Sequence, residues 1–232
     1  MSRRESILAA LPAKLAIARY GGTGSSWDGK DYPVAGILRV QVTWPVSVAK
    51  TMPVSKPAGK IILFDNDVGV KNETDLVARC RDYAALCDRA RANGWQPGVV
   101  SIGPWTEGAR LCKSTTLDRA NEIIGAELVP SADWLAWEFY GTGASTRLRA
   151  WANTFEAMKW DCAVAALIHP GSYTNAAFSP WLSTLDAARE RVDLAIRWLM
   201  DWDAWPAPLT YPRWLFDVAM MGAFGLTKGS DL

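Results

Sequence analysis

The chain holds a single histidine, His169, among its 232 residues. One imidazole excludes a multi-histidine metal centre, and any Ser-His-Asp hydrolase built here would have to use that residue. Cysteine is scarce too: Cys80, Cys87, Cys112 and Cys162, with no Cys-x-x-Cys spacing. Neither a disulfide framework nor a zinc ribbon is expected, and reduced, buried thiols are. Cys80 and Cys87 fall on one face of a predicted helix, roughly 10 Å apart along its axis and beyond disulfide reach. Charge of one sign is lacking as well. Lys and Arg number 25 against 24 Asp and Glu, for a net charge of +1, which gives no bulk attraction to nucleic acid or an anionic membrane. No apolar run approaches the ~18 residues of a spanning helix. A Gly-x-Ser-x-Gly elbow is absent. Gly21-Gly22-Thr23-Gly24-Ser25-Ser26 lacks the Gly-Lys-Ser/Thr ending of a phosphate cradle and reads as a flexible binding loop. No metal and no cofactor are expected.

At the N-terminus Arg3-Arg4 precedes an apolar stretch, as in an export signal, but Pro12 and Lys14 interrupt it. A short first helix with no cleaved leader is expected, which leaves a virion or the cytoplasm as the setting.

Half of the residues are hydrophobic and 21% are charged, enough apolar surface for one α/β domain over 1–232. Strand and helix signals alternate along it. Strands are predicted at Leu15–Tyr20, Ile37–Trp44, Lys60–Phe64, Gly98–Ile102, Trp134–Tyr140 and Cys162–Ile168. Helices are predicted at Thr74–Asn93 and Thr116–Ala126, after a cap at Ser145, and from Ser183 to about Asp203. Trp214–Met221 reads as helical.

Repeated strand-then-helix units imply a parallel sheet with covering helices. A small or irregular (β/α) TIM-like barrel fits best, because carboxylates and aromatics recur at strand ends along the chain; the alternative is an open doubly wound parallel sheet. Six predicted strands fall short of a full barrel, and the polar face of Ile37–Trp44 suggests incomplete burial of that strand.

In either architecture ligands bind at the carboxyl ends of the strands. Those ends carry Tyr20, Trp44, Asp65, Asp67, Trp105, Glu138, Tyr140 and His169. Asp65 and Asp67 share parity. So do Glu138 and Tyr140, while Leu135, Trp137 and Phe139 take the opposite face. Glu138 is flanked by bulky apolar residues, the setting in which a carboxyl pKa rises toward that of a general acid. Asp65 or Asp67 with Glu138 makes the carboxylate pair that glycoside hydrolysis needs. Asp-Asn-Asp after a strand is equally a turn sequence. Tryptophan numbers 13, and indole faces stack on sugars. Tyr20, Trp44, Trp105, Tyr140 and His169 are therefore the candidate substrate contacts, although Trp151, Trp198 and Trp202 sit at helical spacing that suits packing.

Phe64-Asp65-Asn66-Asp67-Val68, the helix after it, Asn93-Gly94-Trp95-Gln96-Pro97-Gly98-Val99 and Trp134-Leu135-Ala136-Trp137 resemble the middle of glycoside-hydrolase-like TIM barrels of the lysozyme and phage-lysin kind. The likeness spans roughly residues 60–140. It implies a cell-wall or other envelope polysaccharide as ligand, Asp65, Asp67 and Glu138 as the acids, and virion proteins as partners. Those lysins usually carry Asp-x-Glu where this chain reads Asn66-Asp67, so a non-catalytic carbohydrate-binding or structural module of a phage tail stands beside the enzyme. Asp65-Asn66-Asp67, the strand ending in Pro104 and Asn121-Glu122-Ile123-Ile124 also resemble later blocks of the SGNH hydrolases, which implies an esterase using His169. This chain lacks the Gly-Asp-Ser block and has Ala166 three residues before His169.

Overall fold

A computed structural model describes residues 1–11, 14–20, 38–43, 61–66, 69–140, 143–168 and 178–199. Among them the elements follow in the order α1 (Arg3–Ala9), β1 (Leu15–Tyr20), β2 (Leu38–Thr43), β3 (Ile61–Asp65), α2 (Glu73–Ala92), β4 (Gln96–Val100), α3 (Leu117–Glu127), β5 (Trp134–Phe139), α4 (Ala144–Met158), β6 (Ala163–Ile168), α5 (Phe178–Arg191) and β7 (Leu194–Leu199). Among the described residues every strand pairing is parallel, consecutive strands pair, and β1 pairs with β7 as well as β2. The expected α/β class, a curled all-parallel sheet with helices between strands, is what the chain forms.

Alternating parity builds two apolar layers. Inside the curl lie Ala16, Val40, Val42, Ile61, Leu63, Val100, Trp134, Ala136, Ala163, Ala165, Leu167, Leu194 and Ile196. Large and small residues complement each other there. A Cβ on Gly98 would sit 2.5 Å from both the Cβ and the carbonyl oxygen of Trp134, so only glycine lets β5 approach β4 that closely there. Outside, Ile62, Phe64, Val99, Leu135, Phe139, Val164 and Ile168 meet the helices through Leu76, Cys80, Cys87, Ile123, Ile124, Leu148, Trp151, Phe155 and Leu185. Phe139 and Trp151 meet edge to face at 5.7 Å, a favoured aromatic geometry.

The helices form where their stripes predict. In α2 the residues Leu76, Cys80, Tyr83, Cys87 and Ala90 are buried on one face, and Asn72 caps it by accepting from the Asp75 N–H. All four cysteines are free thiols; Cys80, Cys87 and Cys162 are buried. Helix α1 is the short first helix expected, closed by a reciprocal capping box between Ser2 and Glu5. Its Ile7 joins the inner layer, while Arg3 donates to the carbonyls of Val129, Pro130 and Asp161. Arg4 grips Asp193 through two bonds of 2.9 and 3.0 Å. The helix therefore seals the amino ends of β5, β6 and β7.

Two expectations are corrected. Helix α5 begins at Phe178 and stops at Arg191, and Leu194–Leu199 is a seventh strand rather than helix. Asp193 accepts the Val164 N–H at 3.0 Å, which starts β7 beside β6 and ends any continuation of α5. Helix α4 is capped by Gly143 at φ 75°, with no side-chain cap, rather than by Ser145. The Gly21–Ser26 loop and the helix expected at Trp214–Met221 lie outside the described residues.

Candidate functional site at the carboxyl ends of the strands

Strand β3 runs Ile61-Ile62-Leu63-Phe64-Asp65, with Ile61 and Leu63 in the inner layer and Ile62 and Phe64 in the outer one. Parity then gives Asp65 an inward position at the carboxyl end. The next backbone N–H, of Asn66, donates to the Val100 carbonyl at 3.3 Å and carries the pairing one residue further. Tyr83 of α2 donates its hydroxyl to the Asp65 carbonyl at 2.9 Å. Asp65 is 4% exposed and Asn66 2%.

On β5, Trp134 and Ala136 point inward while Leu135 and Phe139 point to the helices. Glu138 takes the inward position nearest the carboxyl end and is partly exposed. The registers fix how the two acids relate. Asp65 pairs with Val100, and Val100 pairs with Ala136, two residues before Glu138. Glu138 therefore lies on the same inward face as Asp65, two strands away and two residues beyond its paired row toward the carboxyl end.

Between the two acids, the chain leaves β4 through Ser101. Its N–H donates to the Ala136 carbonyl at 2.9 Å, and its φ is 62°. A serine in the left-handed region costs about 1–3 kcal/mol and is held there by its surroundings, a pattern concentrated at functional sites. Sequence reasoning missed Ser101, because no residue type signals such a conformation without glycine.

The other candidates separate. Trp105 is fully buried in the outer layer, so its ring packs against the core rather than offering a face to a ligand. Tyr140 is 51% exposed, just past β5, with Arg147 donating to its carbonyl at 2.8 Å. The Tyr20 side chain, Trp44, Asp67 and His169 lie outside the described residues, as do the serines of the Gly24–Ser26 stretch. Among the described residues no group of three or more His, Cys, Asp or Glu is arranged to hold a metal ion. No described helix is long and apolar enough to cross a membrane. No known protein family matches the chain, and no curated protein matches it.

Proposed function

We propose that this chain is a small, irregular (β/α) barrel of the glycoside-hydrolase-like kind that binds and cleaves a cell-envelope polysaccharide, in the setting of a phage virion. The observation that carries this reading is the placement of Asp65 and Glu138 at inward positions two strands apart, both at the carboxyl ends. Strand spacing and the inward reach of the side chains bring such carboxyls to about 6–10 Å, a span that accommodates a glycosidic bond between an acid and a base. Glu138, the more accessible of the two, is the general acid that protonates the leaving oxygen. Asp65 is its partner, either activating water or stabilising the oxocarbenium-like charge. The resemblance of residues 60–140 to phage lysins supports an envelope glycan as substrate.

One observation favours a second reading. Asp65 is nearly covered, and a covered acid serves a non-catalytic carbohydrate-binding or structural module of a phage tail as readily as an enzyme. Glycan-array binding followed by reducing-end release on the bound glycans, with wild type and Glu138→Gln, separates the two. Under the catalytic reading Glu138→Gln lowers turnover at least ~100-fold and largely spares binding. Binding without release by the wild type identifies the binding module. Binding to no envelope glycan removes both.

A further inference from the structure

Helix α2 packs on α3, and α4 packs on α5, but α3 and α4 stand apart, with only marginal contact between them. The gap is a groove of about 560 Å³ on the outer helical layer, lined by Asp118, Asn121, Glu122, Gly125, Met158 and Trp160 among others. Its floor is built. A Cβ on Gly125 would lie 2.7 Å from Nε1 of Trp160, so glycine is what lets the indole lie against α3. Phe155 holds that indole edge to face at 6.1 Å. Lys159, in the left-handed conformation at φ 54°, ends α4 and turns the chain toward Trp160.

The rim is acidic. Asp118 and Glu122 are four apart on α3 and so neighbours on one side of the helix. Among the described residues no basic side chain lines the groove. Arg119 pairs with Glu122 through Nη1 at 3.2 Å, which occupies one oxygen of that carboxylate, while its Nε and Nη2 are committed to Glu73, at 2.8 and 2.7 Å. The amide of Asn121 is also spent, on the backbone N–H and carbonyl of Trp105. What remains for a ligand is carboxylate acceptors beside an indole and a thioether. A group that only donates hydrogen bonds, carries positive charge and has an apolar stem matches that set, and a guanidinium does so best.

We infer that the groove between α3 and α4 docks a polypeptide segment of a partner protein that presents an arginine flanked by apolar residues. The arginine sits between the two carboxylates, and its neighbours rest on Trp160 and Met158. This surface lies on the helices, apart from the strand ends, and stands whether or not the glycan reading does.

The test uses the full chain, labelled with ¹⁵N at its tryptophan indoles, with the Trp160 resonance assigned by Trp160→Phe. The probes are acetyl-Ala-Leu-Arg-Leu-Ala-amide and its counterparts with citrulline or glutamate at the centre. The arginine peptide is expected to shift the Trp160 resonance saturably, with citrulline binding at least tenfold weaker and glutamate showing no binding. Asp118→Asn and Glu122→Gln, both at exposed positions, should each weaken the arginine peptide several-fold, and the double variant at least tenfold, with the melting temperature lowered by no more than a few degrees, the share of the first-turn acid and the Arg119 pair. Equal binding of arginine and citrulline peptides, indifference to the double variant, or no saturable shift up to millimolar peptide would overturn the proposal. So would a chitin tetrasaccharide that saturates the Trp160 shift where the arginine peptide does not.

Discussion

The side-chain amide of Asn121 closes a two-bond ring with the backbone of Trp105. The Trp105 N–H donates to Oδ1 at 2.7 Å, and Nδ2 donates to the Trp105 carbonyl at 3.1 Å. Both residues are buried, so no water replaces either bond. The ring ties the segment after β4 to α3, and only an amide offers the donor and acceptor together. Asn121→Leu, which keeps the branch at Cγ but is larger, leaves two buried backbone groups without these partners and should cost at least about 2–4 kcal/mol. Asn121→Asp keeps the acceptor and loses the donor, and should be no milder. Urea unfolding measures both; a loss below about 1 kcal/mol for the leucine variant would contradict the role assigned to the ring.

Asp161 anchors α1 from outside the helix. Its two carboxylate oxygens accept the backbone N–H groups of Arg3 and Arg4, each at 3.0 Å. The Arg4 N–H and then the Arg3 N–H hold the Asp161 carboxyl below its ordinary value of 3.8, because they bond the charged form. A folded pKa below the unfolded one means a stabilisation fully present above the ordinary aspartate range. It is lost as pH falls through the depressed value. Melting temperature should therefore drop on acidification below pH ~4 more steeply in the wild type than in Asp161→Asn. Identical acid limbs for the two proteins would remove Asp161 from the account of α1 docking.

The four thiols should differ sharply in reactivity. Burial pushes Cys80 and Cys162 up to about 12, and pushes Cys87 up as well. At Cys112 burial acts in the same direction, but hydrogen bonds from Ser114 and Thr115 outweigh it and bring this thiol below its ordinary value. Its Sγ lies 3.4 Å from the Ser114 hydroxyl. Since the thiolate is the nucleophile, iodoacetamide at pH 8 should label Cys112 in the native protein and all four cysteines after denaturation. Peptide mass spectrometry reads the sites; native labelling of Cys80 or Cys87 at a rate comparable to Cys112 would contradict the buried face of α2.

The long amphipathic helices were readable because their buried positions recur at three-and-four spacing, as with Leu76, Cys80, Tyr83 and Cys87. Strand β7 was not, because Val192, Ala195, Ile196 and Leu199 also fit a helical stripe. A strand buried on both faces has no alternation to contradict that reading. The two-residue connection after α5, held by Asp193 bonding the neighbouring strand, is a tertiary signal with no local trace. At the site, parity alone gave the inward positions of Asp65 and Glu138. Their placement two strands apart at one end of the sheet depends on strand order and registers, which come from packing, and so was not legible. Trp105 illustrates the opposite failure. Its position after a strand suggested a ligand contact, yet what decides its role is Asn121, sixteen residues on.

Tyr83 links the body of the fold to the proposed chemistry. It is buried on α2, and its hydroxyl donates to the Asp65 carbonyl at 2.9 Å, with the Asn66 Oδ1 at 3.4 Å. The residue fixes where β3 ends without touching any ligand, so it is a positioning residue. Tyr83→Phe keeps the ring and removes the donor, which should cost about 1–2 kcal/mol of stability. If Asp65 works opposite Glu138, the loosened strand end should also lower the turnover number about tenfold at a nearly unchanged KM, since a displaced partner carboxylate weakens transition-state stabilisation more than ground-state binding. In a Glu138→Gln background the same change should cost little further activity, because residues serving one step are not additive. A Tyr83→Phe variant that is destabilised yet fully active per folded molecule would assign the tyrosine to folding alone and detach Asp65 from the chemistry.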